Sequence, residues 1–131
     1  MTVHLGSKTA KEEQLRDGLI DFAVTHPAKQ GKPDRFAYAL ETVPERDTLR
    51  RIDLETGDDI ELDLGDHRFP GEPTVCPSGD AVWILSSVYD AKQHKSGVAV
   101  IADEHFGDGP VGWVWFDHPI PPPLHGMWLP G

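Results

Sequence analysis

The chain has 131 residues, room for one domain at most, and 38% of them are apolar, enough for a modest core and too many for a disordered segment. Acidic residues outnumber basic ones 22 to 12, and the formal charge of −10 repels nucleic acid and anionic lipid headgroups. With the single Cys76 there is no internal disulfide and no Cys/His spacing of a zinc site, which fits a reducing compartment.

Residues 1–18 read as a polar leader. "TVHLGSKTAKEEQLRDG" has no apolar h-region, and nowhere do eighteen apolar residues run together, so neither export nor a membrane span is expected and the cytoplasm is the expected location. Within the leader, "SKTAKEEQLRDG" predicts a short helix capped by Ser7 or Thr9 and stopped at Gly18.

Residues 19–131 predict almost continuous β-structure, because the 13 Gly and 12 Pro fall between short apolar runs and do not pool in one tract. "RFAYAL" alternates Phe36, Tyr38 and Leu40 on one side. "TLRRIDLETGDDIELDLG" is a hairpin: Ile52 and Leu54 alternate with polar neighbours, Glu55 to Asp58 carry turn chemistry around Gly57, and Ile60, Leu62 and Leu64 alternate again. "AVWILSSVYD", Ala81 to Asp90, is apolar on both faces around Trp83 to Leu85, as a central strand requires, and "GVAVIAD" returns beside it. "VGWVWF", Val111 to Phe116, follows as a further strand. Seven or eight such strands form either a sandwich or roughly three four-stranded propeller blades of ~40–45 residues each. Three blades do not close a ring of the usual four to eight.

Two positions carry candidate chemistry. His125 follows Pro121, Pro122 and Pro123 and precedes Gly126, so a stiff approach and a permissive turn hold one imidazole at a defined point. A turn histidine packed against Trp128 is the plainer reading of that spacing. Glu72 lies between Gly71 and Pro73, and a carboxylate held that stiffly suits orienting the far nitrogen of a ligating imidazole; the alternative is a solvated loop glutamate. His4, His26, His67, His94 and His105 show no i, i+2 or i, i+4 pair, and each reads as a surface histidine, while His118 in "DHPIP" reads as the rim of the strand ending at Phe116. No G-x-S-x-G elbow, phosphate-cradling glycine loop or recognisable cysteine nucleophile is present.

"FPGEPTVCPSGDAVWILSSVYDAKQHKSGVAVIAD" and "GPVGWVWFDHPIPPPLHGMWLP" resemble the C-terminal part of the carotenoid cleavage oxygenase family, which includes the lignostilbene dioxygenases. The shared pattern is a G-E-P step at Gly71 to Pro73, a Val-Tyr-Asp triplet at Val88 to Asp90, a strand end at Ala102 and Asp103, and an H-G-x-W motif at His125 to Trp128. Upstream, "RFAYALETVPERDTLRRIDLETG" and "LIDFAVTHPAKQGKP" are similar to the family's preceding segments, so the resemblance covers residues 10–130.

The resemblance implies a seven-bladed β-propeller, of which this chain supplies about three blades, with non-haem Fe(II) on its axis held by four histidines and steadied by glutamates behind them. It implies oxidative cleavage of a conjugated carbon–carbon double bond of an apolar substrate by O2 into two carbonyl products. His125 falls on the last of the four ligands and Glu72 on an orienting glutamate. Asp21, followed by Phe22 and Ala23, stands where the family has Glu-Phe-Pro, and the lost methylene shortens its reach by about 1.5 Å. The proline run before His125 replaces a commoner Gly-Phe step and is closer to stilbene-type members. Three ligands are then expected on N-terminal blades outside these residues, leaving 131 residues alone inactive. The alternative is a truncated, non-catalytic β module that pairs with itself or a partner through open strand edges.

Overall fold

The computed structural model describes residues 2–4, 6–12, 14, 18–44 and 46–129. Their architecture is all-β and antiparallel, with ten strands in three sheets. Strands β3 (Leu19–Thr25), β4 (Phe36–Val43), β5 (Arg46–Asp53) and β6 (Asp59–Leu62) form one four-stranded meander in that order. Strands β7 (Arg68–Ser78), β8 (Ala81–Asp90), β9 (Lys95–Ala102) and β10 (Gly112–Trp115) form a second. Strands β1 (Thr2–His4) and β2 (Thr9–Lys11) pair as a separate hairpin. Where about three blades are expected, the described residues therefore give two four-stranded sheets and a two-stranded one.

The meanders follow from alternation and turn chemistry. In β4 and β5 the register Tyr38↔Arg51, Leu40↔Leu49 puts one row of side chains against the second sheet, and Leu49↔Leu62 extends that row to β6. Gly57, at φ 80°, takes the left-handed position that the β5–β6 turn needs. Between β8 and β9, Ile84↔Ile101 and Ser86↔Ala99 form the matching row. The two rows meet in one core of Tyr38, Leu40, Leu49, Leu62, Val75, Ile84, Val88, Ile101 and Phe106. At about 1.5–3 kcal/mol for each large apolar side chain removed from water, this shared core is what joins the sheets.

One expectation changes and one alternative falls away. Thr9–Lys11 is a strand, not the opening of a helix: Val3↔Ala10 and His4↔Thr9 pair across the turn at 6–8, and pairing overrides a modest helix propensity. The rest of that expected helix includes Glu13 and residues 15–17, which lie outside the described residues. The segment around Glu72 is not a loop but part of β7, an eleven-residue strand. Pro70, Pro73 and Pro77 are tolerated there because β7 is a sheet edge, where a missing N–H breaks fewer ladder bonds. Two 3₁₀ turns, Pro27–Lys29 and Asp103–Asp108, complete the elements, and the second drives Phe106 into the core at 1% exposure.

Candidate functional site

The edge strands β3 and β7 each carry a bulge, and the carboxyl-terminal segment passes over them. In β7 the register shifts between Pro70 and Pro73, which bracket Gly71 and Glu72. Gly71 packs closely against β8: a Cβ there would lie 2.5 Å from Ser87 Oγ and displace that hydroxyl, while Ser86 Oγ donates to the Gly71 carbonyl at 2.9 Å. The bulge thereby re-aims Glu72, whose side chain is only 12% exposed.

The segment that meets Glu72 is fixed upstream. The Ile120 N–H donates to Ser96 Oγ at 2.9 Å, and the hydroxyl donates back to the Ile120 carbonyl at 3.3 Å. Pro121 to Pro123 then carry the chain stiffly to His125. There the Gly126 N–H donates to Glu72 Oε2 at 2.9 Å, and His125 Nδ1 lies 3.5 Å from Glu72 Oε1. One carboxylate thus holds the backbone firmly and touches the ring loosely. The His125 side chain is 76% exposed, and its ring meets that of Phe22 in an edge-to-face pair with centroids 5.7 Å apart and planes at 69°.

Clefts open on both sides of this segment. One of about 220 Å³ is lined by Leu85, Ser87, Val98, His125 and Met127; the other, of about 280 Å³, by Val24, Pro73, Thr74 and Trp128.

The sequence-derived candidates divide clearly. Glu72 and His125, 53 positions apart, are brought together. Asp21 lies at the bulge of β3, where the register shifts between Asp21 and Val24, and its Oδ1 accepts the N–H of Phe22 at 2.8 Å. The remaining histidines serve local structure or sit at the surface. His26 Nδ1 accepts from the Ala28 N–H at 3.2 Å, His94 Nδ1 is 3.2 Å from the Tyr89 hydroxyl, and His105 is 3.4 Å from Asp108. His67 and His118 are exposed, and His4 lies in β1. Among the described residues, no group of three or more His, Cys, Asp or Glu side chains is placed to hold a metal ion. Of the candidate residues, His125 and Glu72 are the pair in contact, at 3.5 Å. Sequence reasoning missed the contact between Phe22 and His125, because it depends on two bulges that no periodicity announces. Burial pushes the Cys76 thiol up to about 11, which removes it from nucleophilic roles at neutral pH.

The family model described as "Retinal pigment epithelial membrane protein" (RPE65) matches residues 1–130. Apocarotenoid-15,15'-oxygenase of Synechocystis sp. is 27% identical over 138 residues, covering 97% of this chain and 28% of that protein. Among solved structures, an ACO/RPE65 chimera superposes with a TM-score of 0.89 at 25% identity, covering 97% of this chain and 29% of the other. Cobalt-substituted Synechocystis ACO gives 0.87 at 25% identity, again covering 97% and 29%. This chain thus spans under a third of the length of the relatives it matches. No helix among the described residues is long and apolar enough to cross a membrane. On the match across residues 1–130 and the similarity to an apocarotenoid oxygenase, the chain belongs to the RPE65 family of carotenoid oxygenases.

Proposed function

We propose that this chain is the C-terminal portion of a non-haem Fe(II) dioxygenase that cleaves a conjugated carbon–carbon double bond of a carotenoid, apocarotenoid or stilbene with O2, giving two carbonyl products. The observation that carries this reading is the Glu72 cradle, in which one carboxylate holds the Gly126 N–H and faces His125 Nδ1. With Nδ1 turned to a carboxylate, Nε2 is the nitrogen left for a metal, the usual arrangement of a ligating histidine. The similarity of this chain to Synechocystis ACO, a protein whose cobalt-substituted form has been solved, supports a metal in the complete fold.

His125 fits Fe(II) as one ligand of four. Fe(II) held by neutral imidazoles supplies Lewis acidity and open positions for O2. Glu72 holds the segment that carries the ring and faces its Nδ1, Asp21 stands in the place of the second orienting carboxylate, and Leu124, Met127 and Trp128 offer an apolar wall to the substrate. In this reading the two sheets are adjacent blades of a seven-bladed ring, with β3 and β7 innermost, acting in the cytoplasm without a nucleic-acid partner. The other three histidines come from blades outside these residues. A lone imidazole lacks the preoriented partners that retain iron, so the 131 residues alone are inactive.

A non-catalytic module is the second reading, favoured by an apolar hollow of about 530 Å³ lined by Ile20, Ala23, Ala37 and Ile52 on the outer face of the first sheet. A preceding blade would cover the same hollow. The deciding experiment supplies an apocarotenoid and a stilbene to the iron-loaded polypeptide that carries this chain with its remaining blades. Two carbonyl products from either, lost in His125→Ala, support the oxygenase. No cleavage of either by the loaded polypeptide favours the module.

A further inference from the structure

Phe22 is a bulky residue in the left-handed backbone region, φ 52°, where aromatic side chains are rare and strained. Two features hold it there. The β3 register slips between Asp21 and Val24, and Asp21 Oδ1 accepts the Phe22 N–H at 2.8 Å. The consequence of this conformation is a ring edge-on to His125 at 5.7 Å.

The imidazole has little else to fix it. Its side chain is 76% exposed, and its neighbours Leu124 and Met127 are 73% and 80% exposed. At 3.5 Å the Glu72 contact is at the outer limit of a hydrogen bond, so the carboxylate sets the backbone through Gly126 more than it sets the ring plane. Phe22 supplies the missing restraint from the opposite strand, since aromatic pairs prefer edge-to-face geometry.

We propose that Phe22 is a positioning residue for His125, and that Asp21 acts on this imidazole through the Phe22 N–H and not through its charge. The value of a fixed ring to a metal rests on the function proposed above. The positioning itself is tested without metal, so the failure of one reading is distinguishable from the failure of the other.

The test uses the polypeptide that carries this chain with its remaining blades, prepared without metal, and four variants: Phe22→Leu, Phe22→Tyr, Asp21→Asn and Asp21→Ala. Three quantities are read: the thermal unfolding midpoint, the χ1 couplings of His125, and the rate at which diethyl pyrocarbonate modifies His125. Phe22→Leu and Asp21→Ala should lose the single His125 rotamer and react faster. Phe22→Tyr keeps the ring and Asp21→Asn keeps an acceptor, so both should match the parent. A folded Phe22→Leu chain that is less stable but keeps the parent rotamer and rate makes Phe22 a filler and overturns the proposal. Asp21→Asn behaving like Asp21→Ala overturns the role given to Asp21. Should Phe22→Leu not fold, the two Asp21 variants, which keep the ring, decide by the same readouts.

Discussion

The Tyr38 hydroxyl donates to Asp103 Oδ1 at 2.6 Å, joining positions 65 apart and tying the first sheet to the second. Arg51 Nε donates to the same oxygen at 2.6 Å, and its guanidinium lies over the Phe36 ring at 3.7 Å. The Tyr38 pKa is driven upward by burial first and by Asp103 second, so its O–H stays a donor. Asp103→Ala strands both the hydroxyl and the guanidinium at a site where the charged partners are 17% and 15% exposed. We expect a loss of about 2–3 kcal/mol in urea unfolding, and a smaller one for Asp103→Asn, which still accepts from Tyr38. Equal losses for the two variants would contradict this clamp.

Gly97 allows β10 to close on β9. A Cβ there would lie 2.6 Å from the Trp115 ring and 2.7 Å from the Val114 carbonyl oxygen. Trp115 cannot retreat easily, because it stacks on Trp113 at 4.9 Å and Arg68 lies over that second ring. Gly97→Ala should therefore destabilise by about 1–3 kcal/mol, with hydrogen exchange accelerated first in β10. A parent-like exchange pattern in the variant would show that the sheet has room to spare.

Acid stability should depend on Asp90. Burial by itself would raise its pKa, but the N–H groups of Gln93 and Lys92 together with Arg68 outweigh burial and hold it below the usual carboxylate range. A folded-state pKa below the unfolded one means that the stabilisation is full above the unfolded value, near 3.9, and is lost as the pH falls through the folded one. Urea midpoints measured from pH 7 downward should be flat and then fall below about pH 4, and more gently in Asp90→Asn. An equally steep fall in that variant would assign acid sensitivity elsewhere.

Cys76, buried with its thiol pushed up to about 11, should react slowly with iodoacetamide at pH 8 in the native chain and quickly in urea. Equal rates would mean that β7 opens far more readily than its burial indicates.

How much of this was legible in the sequence depended on local rules. The β5–β6 pair and strand β8 were readable because period-two alternation and a glycine turn act within a few residues. Strand β7 was not: three prolines disguise it, and only its place at a sheet edge, a long-range fact, makes them tolerable. The β1–β2 hairpin was hidden by a segment whose helix signals are real but weak. Glu72 and His125 were paired through their motifs, and their spatial contact follows from a bulge and a tail anchored at Ser96. Phe22 had only its place beside Asp21 to mark it, since its contact with the imidazole comes from a backbone conformation that sequence rules treat as improbable.

The central claim, that His125 is one of four iron ligands, is tested most directly by metal stoichiometry. Fe(II) would be titrated anaerobically into three samples: this chain alone, the polypeptide carrying it with its remaining blades, and that polypeptide with His125→Ala. One bound iron in the second sample and none in the first and third is the predicted result. One iron retained by the His125→Ala polypeptide, or held by the 131 residues alone, would contradict it.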